Sequence, residues 1–495
     1  MNLNDLKREL NEISDLKSVA NVLEWDQLTY LPKGGEHARG RQLGLVSRIL
    51  HERRSSPALS KLVDEAQAMA DEDSVDGAIV RRARRMVERA QRVPAELQSE
   101  ITAHTSRMYG EWVVAKKDND FERIRPLLEK NVELSRRYAD HFDFAHPADA
   151  FIDENDPGMS AESIRSLFSS LRKELVPIVH TLLAATPPDA SFLERDFPHD
   201  AQLKFADYIA RAVGYDFDRG RQDLTAHPFM IRFSGGDIRI TTRVGSDPTG
   251  AIFGTIHESG HALYEQGIDA ALDGTPLGSG TSTGVHESQS RLWENIVGRS
   301  SSFWARHYPA LVEHFPKALG DISLTDFHRT INRVHRSLKR VESDEVSYNL
   351  HVMLRFDLEL EVLEGKLAIA DLPEAWNARM KSDLGIDVPS DADGCLQDVH
   401  WYCMPFGGSF QGYTLGNLMS AQFYETAHKG PGVSDALESG DTAPLRQWLT
   451  ENVYTHGGRY MPDELVERVT GRPLSADSFL SYLRGKYGAL YGVDL

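Results

Sequence analysis

His257-Glu258-Ser259-Gly260-His261 sets two imidazoles four residues apart, with an acid beside the first. On a helix, positions i and i+4 share a face, so both rings can reach one divalent ion. Zn²⁺ suits such a pair, and Co²⁺ or another divalent ion fits the same donors. Glu258 then stands where a carboxylate can take the proton of an activated water. A tetrahedral catalytic ion also needs a third protein ligand and one open position. Glu287 is the candidate for that ligand, and His286 competes with it. The alternative for Glu287 is a solvent-facing acid paired with Arg291 at i,i+4.

The elements around these residues must place them. In residues 251–267, Ile252, Ile256, Leu263 and Gly267 recur at helical intervals. The spacing predicts a helix that Gly267 ends in a left-handed turn. The histidines fall near its apolar stripe, and burying them needs a reason. Gly254 and Gly260 weaken a helix and point to close approach of a partner helix or a substrate. Val285, Ser288, Leu292 and Ile296 form one face of a second helix. The Gly/Ser/Thr-rich stretch 273–284 is the loop that returns it to the first. Just before the pentad helix, residues 229–233 and 237–241 flank Ser234-Gly235-Gly236 and predict a β-hairpin. Such a hairpin offers either an edge for an added peptide strand or a structural cover on the core.

Helical periodicity dominates the rest. Ile164, Leu167, Phe168, Leu171 and Leu175 form one stripe, and Val346, Leu350, Met353, Leu354 and Leu358 form part of another. The expected fold is mainly α, a single domain over 1–495. Residues 1–140 form an N-terminal region of charged amphipathic helices, and 141–495 the catalytic region. No apolar run reaches the ~18–20 residues of a membrane span. The first ten residues predict an amphipathic helix without the apolar core of a signal peptide. Only Cys395 and Cys403 are present, too few for a disulfide framework, so a reducing cytoplasm is expected. A net charge of −19 argues against nucleic acid and anionic membranes as partners. An anionic substrate group would need a local arginine.

Several further motifs occur in order: His227-Pro228-Phe229, Asp237-Ile238-Arg239-Ile240-Thr241, His286-Glu287-Ser288-Gln289 and Gly394-Cys395-Leu396-Gln397-Asp398-Val399-His400-Trp401. Trp25-Asp26-Gln27 and Pro32-Lys33-Gly34-Gly35 precede them. Together with the pentad they resemble the carboxypeptidase Taq family of HExxH metallopeptidases. Two segments depart from its pattern. Lys339 and Ser343 replace the Ile and Ala of I-R-x-x-A-D, while Arg340 and Asp344 are kept. The segment before Tyr413 lacks the expected aromatic and Pro.

The resemblance implies a large helical body with a deep groove closed at one end, the N-terminal region covering it. It implies a zinc carboxypeptidase that removes single C-terminal residues with broad preference, and a homodimer. Glu287 becomes the third ligand, and the partners are peptides with a free C-terminus. Glu258 serves as base and then acid. Arg340 pairs the substrate carboxylate, or else forms a structural bridge with Glu342 or Asp344. Tyr413 donates to the developing oxyanion, or is an ordinary packed tyrosine. His227, Arg239 and His400, with Asp237 and Trp401, line the groove or orient ligands from behind. Asp237 and Arg239 have hairpin structure as their alternative, and Gln397 and Asp398 brace the fold. The competing functions are a helical endo-oligopeptidase and a peptide-holding scaffold without catalysis.

Overall fold

The computed structural model describes residues 3–495. Met1 and Asn2, the first two residues of the expected N-terminal helix, lie outside the described residues. The remainder of that helix is Leu3–Thr29, which buries Leu6, Leu10 and Ile13 at helical spacing and exposes Arg8 and Glu12. Six helices occupy the region up to Ala139, as the amphipathic pattern predicts.

The chain folds as two compact units whose segments alternate in sequence. The first holds the described residues through Gln91, Asp189–Ile331 and Phe423–Arg472. One of its apolar clusters joins Leu6, Leu10 and Ile13 to Leu59, Val63, Ile79, Val80, Ile268, Leu272 and Leu277. The second holds Arg92–Pro188, Asn332–Gln422 and Pro473–Leu495. Its helix Ala161–Ala184 buries Ile164, Phe168, Leu171 and Leu175, with Leu167 at the margin. Phe168 meets Phe356 of helix Tyr348–Leu363 with ring centroids 5.2 Å apart. That helix is buried on every face, so its apolar positions exceed the single stripe its spacing suggests.

The sheet lies in the first unit. The expected hairpin forms β2 (Met230–Ser234) and β3 (Asp237–Thr242), antiparallel, with a bulge between Arg232 and Ser234. A third strand, β1 (Gln222–Leu224), pairs parallel to β3 and makes β3 the centre of the order β1-β3-β2. The β2 carbonyls of Arg232 and Phe233 accept from Asn21 and Ser18 of helix Leu3–Thr29. That helix therefore covers part of the edge that sequence offered to a peptide. β3 leads into the pentad helix, Thr249–Gly267.

Candidate active site

The pentad helix buries Ile252, Ile256 and Leu263 as the periodicity predicts. It begins where Asp247 accepts the Thr249 N–H at 2.9 Å. It ends at Gly267 without a left-handed turn, because Ile268 caps it in extended conformation. The glycine at 267 has another cause: a Cβ there would lie 2.6 Å from Cδ2 of Tyr454. Gly260 is the close-approach position. A Cβ on it would stand 2.7 Å from both the Gln289 carbonyl and the Ser290 Cα. The two backbones therefore meet at a distance that only glycine allows.

The element that approaches is the return helix, Thr283–Arg291. The Ser282 hydroxyl starts it by accepting the Val285 N–H at 3.1 Å. It runs on as a π-helical turn, Leu292–Val297. This packing aims Glu287 at both histidines. Its Oε2 lies 3.7 Å from Nε2 of His257 and 3.4 Å from Nε2 of His261. Ligand atoms of His257, His261 and Glu287 all fall within 4.8 Å of one another. Tetrahedral ligands at ~2.0–2.2 Å from an ion stand roughly 3.3–3.6 Å apart, so the three residues fit a divalent ion. Glu287 satisfies part of its alternative too, since its Oε1 accepts from Nε of Arg291 at 2.7 Å. It does so at 4% exposure, not facing solvent.

Each histidine is held from behind. Nδ1 of His257 meets Oε2 of Glu294 at 2.9 Å. Nδ1 of His261 meets Nδ1 of His286 at 2.6 Å, and Nε2 of His286 meets Oε1 of Glu265 at 2.9 Å. His286 thus stands behind a ligand, outside the group of three. Glu294 and Glu265 were missed in sequence. Glu294 lies seven residues after Glu287, and that helical spacing was the available signal.

Burial sets the electrostatics. It lifts Glu258, which is 6% exposed, to about 7; Glu287 and Glu294 add to the rise and His257 opposes it. It pushes His261 down to about 4, keeping the imidazole neutral as a ligand must be. Burial opposes charge on His257 as well, but Glu287 and Glu294 hold that ring above the usual value. For Glu287, Arg291 and both histidines outweigh burial and keep the carboxyl well below its usual range. His257, Arg291 and Arg299 do the same for Glu294, to about 2.

A sequence model of the carboxypeptidase Taq (M32) metallopeptidases matches residues 5–487. The chain belongs to this metallocarboxypeptidase family. It is 41% identical to thermostable carboxypeptidase 1 of Thermus thermophilus, over 99% of this chain and 98% of that protein. Carboxypeptidase 1 of Bacillus subtilis is 37% identical, over 97% of each. The crystal structure of an M32 carboxypeptidase from Deinococcus radiodurans superposes with a TM-score of 0.96 at 48% identity, covering 99% of both chains. Metallopeptidase membership implies a divalent metal, and the His257/His261/Glu287 group is the one set of such donors among the described residues.

The other residues expected of a carboxypeptidase Taq member divide between the units. In the first, His227 is exposed in the bend before β2. Arg239 forms a two-pronged pair with Asp237 at 2.9 and 2.8 Å, its guanidinium 4.4 Å from the Trp25 ring and 4.7 Å from that of Phe233. In the second, Arg340 is 6% exposed and pairs with neither Glu342 nor Asp344. Its Nε donates to Asp398 at 2.9 Å and its Nη1 to the Tyr348 hydroxyl at 2.9 Å. Asp398 also takes Nε of Arg355 at 3.0 Å and meets Nδ1 of His400 at 2.5 Å. Burial works against the Asp398 charge, yet the two arginines and His400 hold its carboxyl well below the usual range. Nε2 of His400 reaches the Tyr413 hydroxyl at 3.2 Å, and that ring lies 4.7 Å from the Arg340 guanidinium. Gln397 accepts from the Arg340 N–H and from Arg355, and donates to the carbonyls of Leu338 and Asp393.

Proposed function

We propose that His257, His261 and Glu287 hold a zinc ion and that Glu258 is the general base of C-terminal peptide hydrolysis. The observation that carries this reading is Oε2 of Glu287 turned toward Nε2 of both histidines, with Glu258 next in chain. When bound, the ion supplies Lewis acidity to the scissile carbonyl and to the attacking water. The added positive charge draws Glu258 toward the carboxylate form that a base needs. Glu258 takes one proton from the water as its oxygen bonds to the carbonyl carbon. It then delivers that proton to the amide nitrogen as the C–N bond breaks. Glu294 fixes the ring of His257 throughout.

Arg340 is the donor we assign to the substrate α-carboxylate. Asp398 and Tyr348 engage Nε and Nη1, which leaves Nη2 for substrate, so recognition is single-armed and needs a second donor. The hydroxyl of Tyr413, linked to His400, is that donor or the one for the oxyanion. His227 joins the substrate contacts, while Arg239 ties the hairpin to Trp25. The family match across residues 5–487 supports treating 1–495 as one catalytic domain. We infer a cytoplasmic homodimer acting on peptides, supported by two unpaired cysteines and the family resemblance. Among the described residues no helix is long and apolar enough to cross a membrane.

A panel of N-blocked di- to pentapeptides, as free acids and amides, tests the reading. Free acids lose single C-terminal residues, amides resist, and a chelator stops turnover until Zn²⁺ is returned. Equal cleavage of acid and amide would indicate an endo-oligopeptidase. Binding without turnover would indicate a scaffold.

A further inference from the structure

We propose that Glu265 and His286 form a relay that fixes His261 in the one tautomer able to bind the metal. The inference rests on His261 being a ligand through Nε2, the atom 3.4 Å from Glu287. A neutral imidazole that ligates through Nε2 carries its hydrogen on Nδ1. That hydrogen points at Nδ1 of His286, only 2.6 Å away, so this atom must accept. The hydrogen of His286 is then on Nε2, aimed at Oε1 of Glu265 at 2.9 Å. Any other assignment of neutral rings sets two hydrogens or two lone pairs against each other.

The far end of the chain is anchored. The Gly280 N–H donates to the same Oε1 of Glu265 at 2.9 Å. Arg232 on β2 sets its Nε 3.1 Å from Oε2. Glu265 is one helical turn beyond His261 on the same helix and is 3% exposed. Oε1 of this buried carboxylate takes the Gly280 donor and faces His286, while Oε2 only ion-pairs with Arg232. An ionised carboxylate can only accept, which gives the relay its direction. The two metal histidines are thus held differently. His257 has a carboxylate directly on Nδ1, whereas His261 reaches one through a second ring. This gives His286 a positioning role and explains why it sits next to Glu287 without joining the ligand set.

The test uses the full chain stripped of metal and titrated with Zn²⁺ against a chromophoric chelator. Three variants are compared with wild type: Glu265→Gln, His286→Leu and His286→Asn. The melting temperature of each metal-free protein is measured separately. E265Q and H286L are expected to bind Zn²⁺ about 10–100-fold more weakly. H286N falls between wild type and H286L, because the Asn carbonyl replaces the Nδ1 acceptor but cannot reach Glu265. The Co²⁺ absorption bands of H286L keep the wild-type shape, since no ligand is lost. Wild-type affinity in both E265Q and H286L overturns the relay, including when their metal-free melting falls, which marks a mere structural brace. Altered Co²⁺ bands in H286L also overturn it, by making His286 a ligand. Failure of the wild-type chain to bind one Zn²⁺ overturns the metal assignment itself, and the relay with it.

Discussion

Glu258 lies in a site crowded with charge: two depressed carboxylates, Glu287 and Glu294, and an imidazole held above its usual value. It alone among these acids is pushed up, to about 7. Burial draws this acid up and a bound cation draws it down, and an acid balanced between the two suits the transfer of a proton in both directions. Replacing Glu258 with Gln removes that exchange and leaves the three metal donors in place. Expected is a fall of about 1,000-fold in kcat with one bound Zn²⁺ per chain retained, read by steady-state assay and metal analysis. Activity within tenfold of wild type would remove Glu258 as the base. At this scale much was legible in sequence. The spacing of His257 and His261 announced a shared face, and Glu287 was within reach of a returning helix. The partners behind the ligands were not legible. Glu265 and Glu294 are unremarkable acids until tertiary packing brings them to Nε2 of His286 and to Nδ1 of His257. Arg340 shows the same limit: its partner is Asp398, far along the chain, and not the neighbouring acids that sequence suggested.

Helices deliver these residues, and one glycine sets how closely. Gly260 faces Gln289 and Ser290 on the helix that carries Glu287. Its replacement by Ala puts a methyl 2.7 Å from backbone atoms, so the return helix must shift. Expected is a loss of about 1–3 kcal/mol of stability, by denaturant unfolding, together with weaker zinc binding. Unchanged affinity would mean that Glu287 does not depend on this contact. The hairpin, the pentad helix and its returning partner were readable from periodicity and glycine placement. Strand β1 was not, because three residues in parallel pairing carry no alternation. The π-helical turn at Leu292–Val297 also leaves no mark on the apolar pattern. A second element-scale prediction concerns Glu364, the C-cap of helix Tyr348–Leu363. Burial opposes its charge, but Lys366 at 2.7 Å and Arg165 at 2.5 Å hold it at about 2. A depressed carboxyl stabilises the fold above its unfolded value and loses that contribution as pH falls through its folded value. Wild type should therefore exceed Glu364→Gln by about 1 kcal/mol at pH 7, both partners being partly solvated. The melting difference should close between about pH 5 and pH 2. A gap constant across that range would mean that the ion pairs contribute nothing.

For the whole molecule, the consequence is that metal and fold are linked. The first unit gathers His257, His261, Glu287, Glu258 and Glu294 around one point, Glu258 and Glu287 buried and the others half-buried, and the second has no comparable donor group among its described residues. Without an ion, three carboxylates and two imidazoles remain packed together with Arg291 as their nearest guanidinium, and Glu258 gains nothing from its acidic neighbours. A divalent ion offsets that concentration of negative charge in a site that solvent reaches only in part. An ion that binds the native state and not the unfolded chain raises stability by RT ln(1 + [L]/Kd), about 2.7 kcal/mol at one hundred times Kd. For a unit of this size the corresponding rise in melting temperature is roughly 3–5 °C. Chelation should lower the melting temperature by that amount, and stoichiometric Zn²⁺ should restore it. Hydrogen exchange should place the largest loss of protection in Thr249–Gly267 and Thr283–Arg291. Exchange that rises equally in Ala161–Ala184 would argue against a stabilising ion centred on the first unit. The same titration on Glu287→Gln separates linkage from nonspecific metal effects. With its third donor neutralised, that variant should melt at one temperature with or without zinc at the concentration that stabilises wild type.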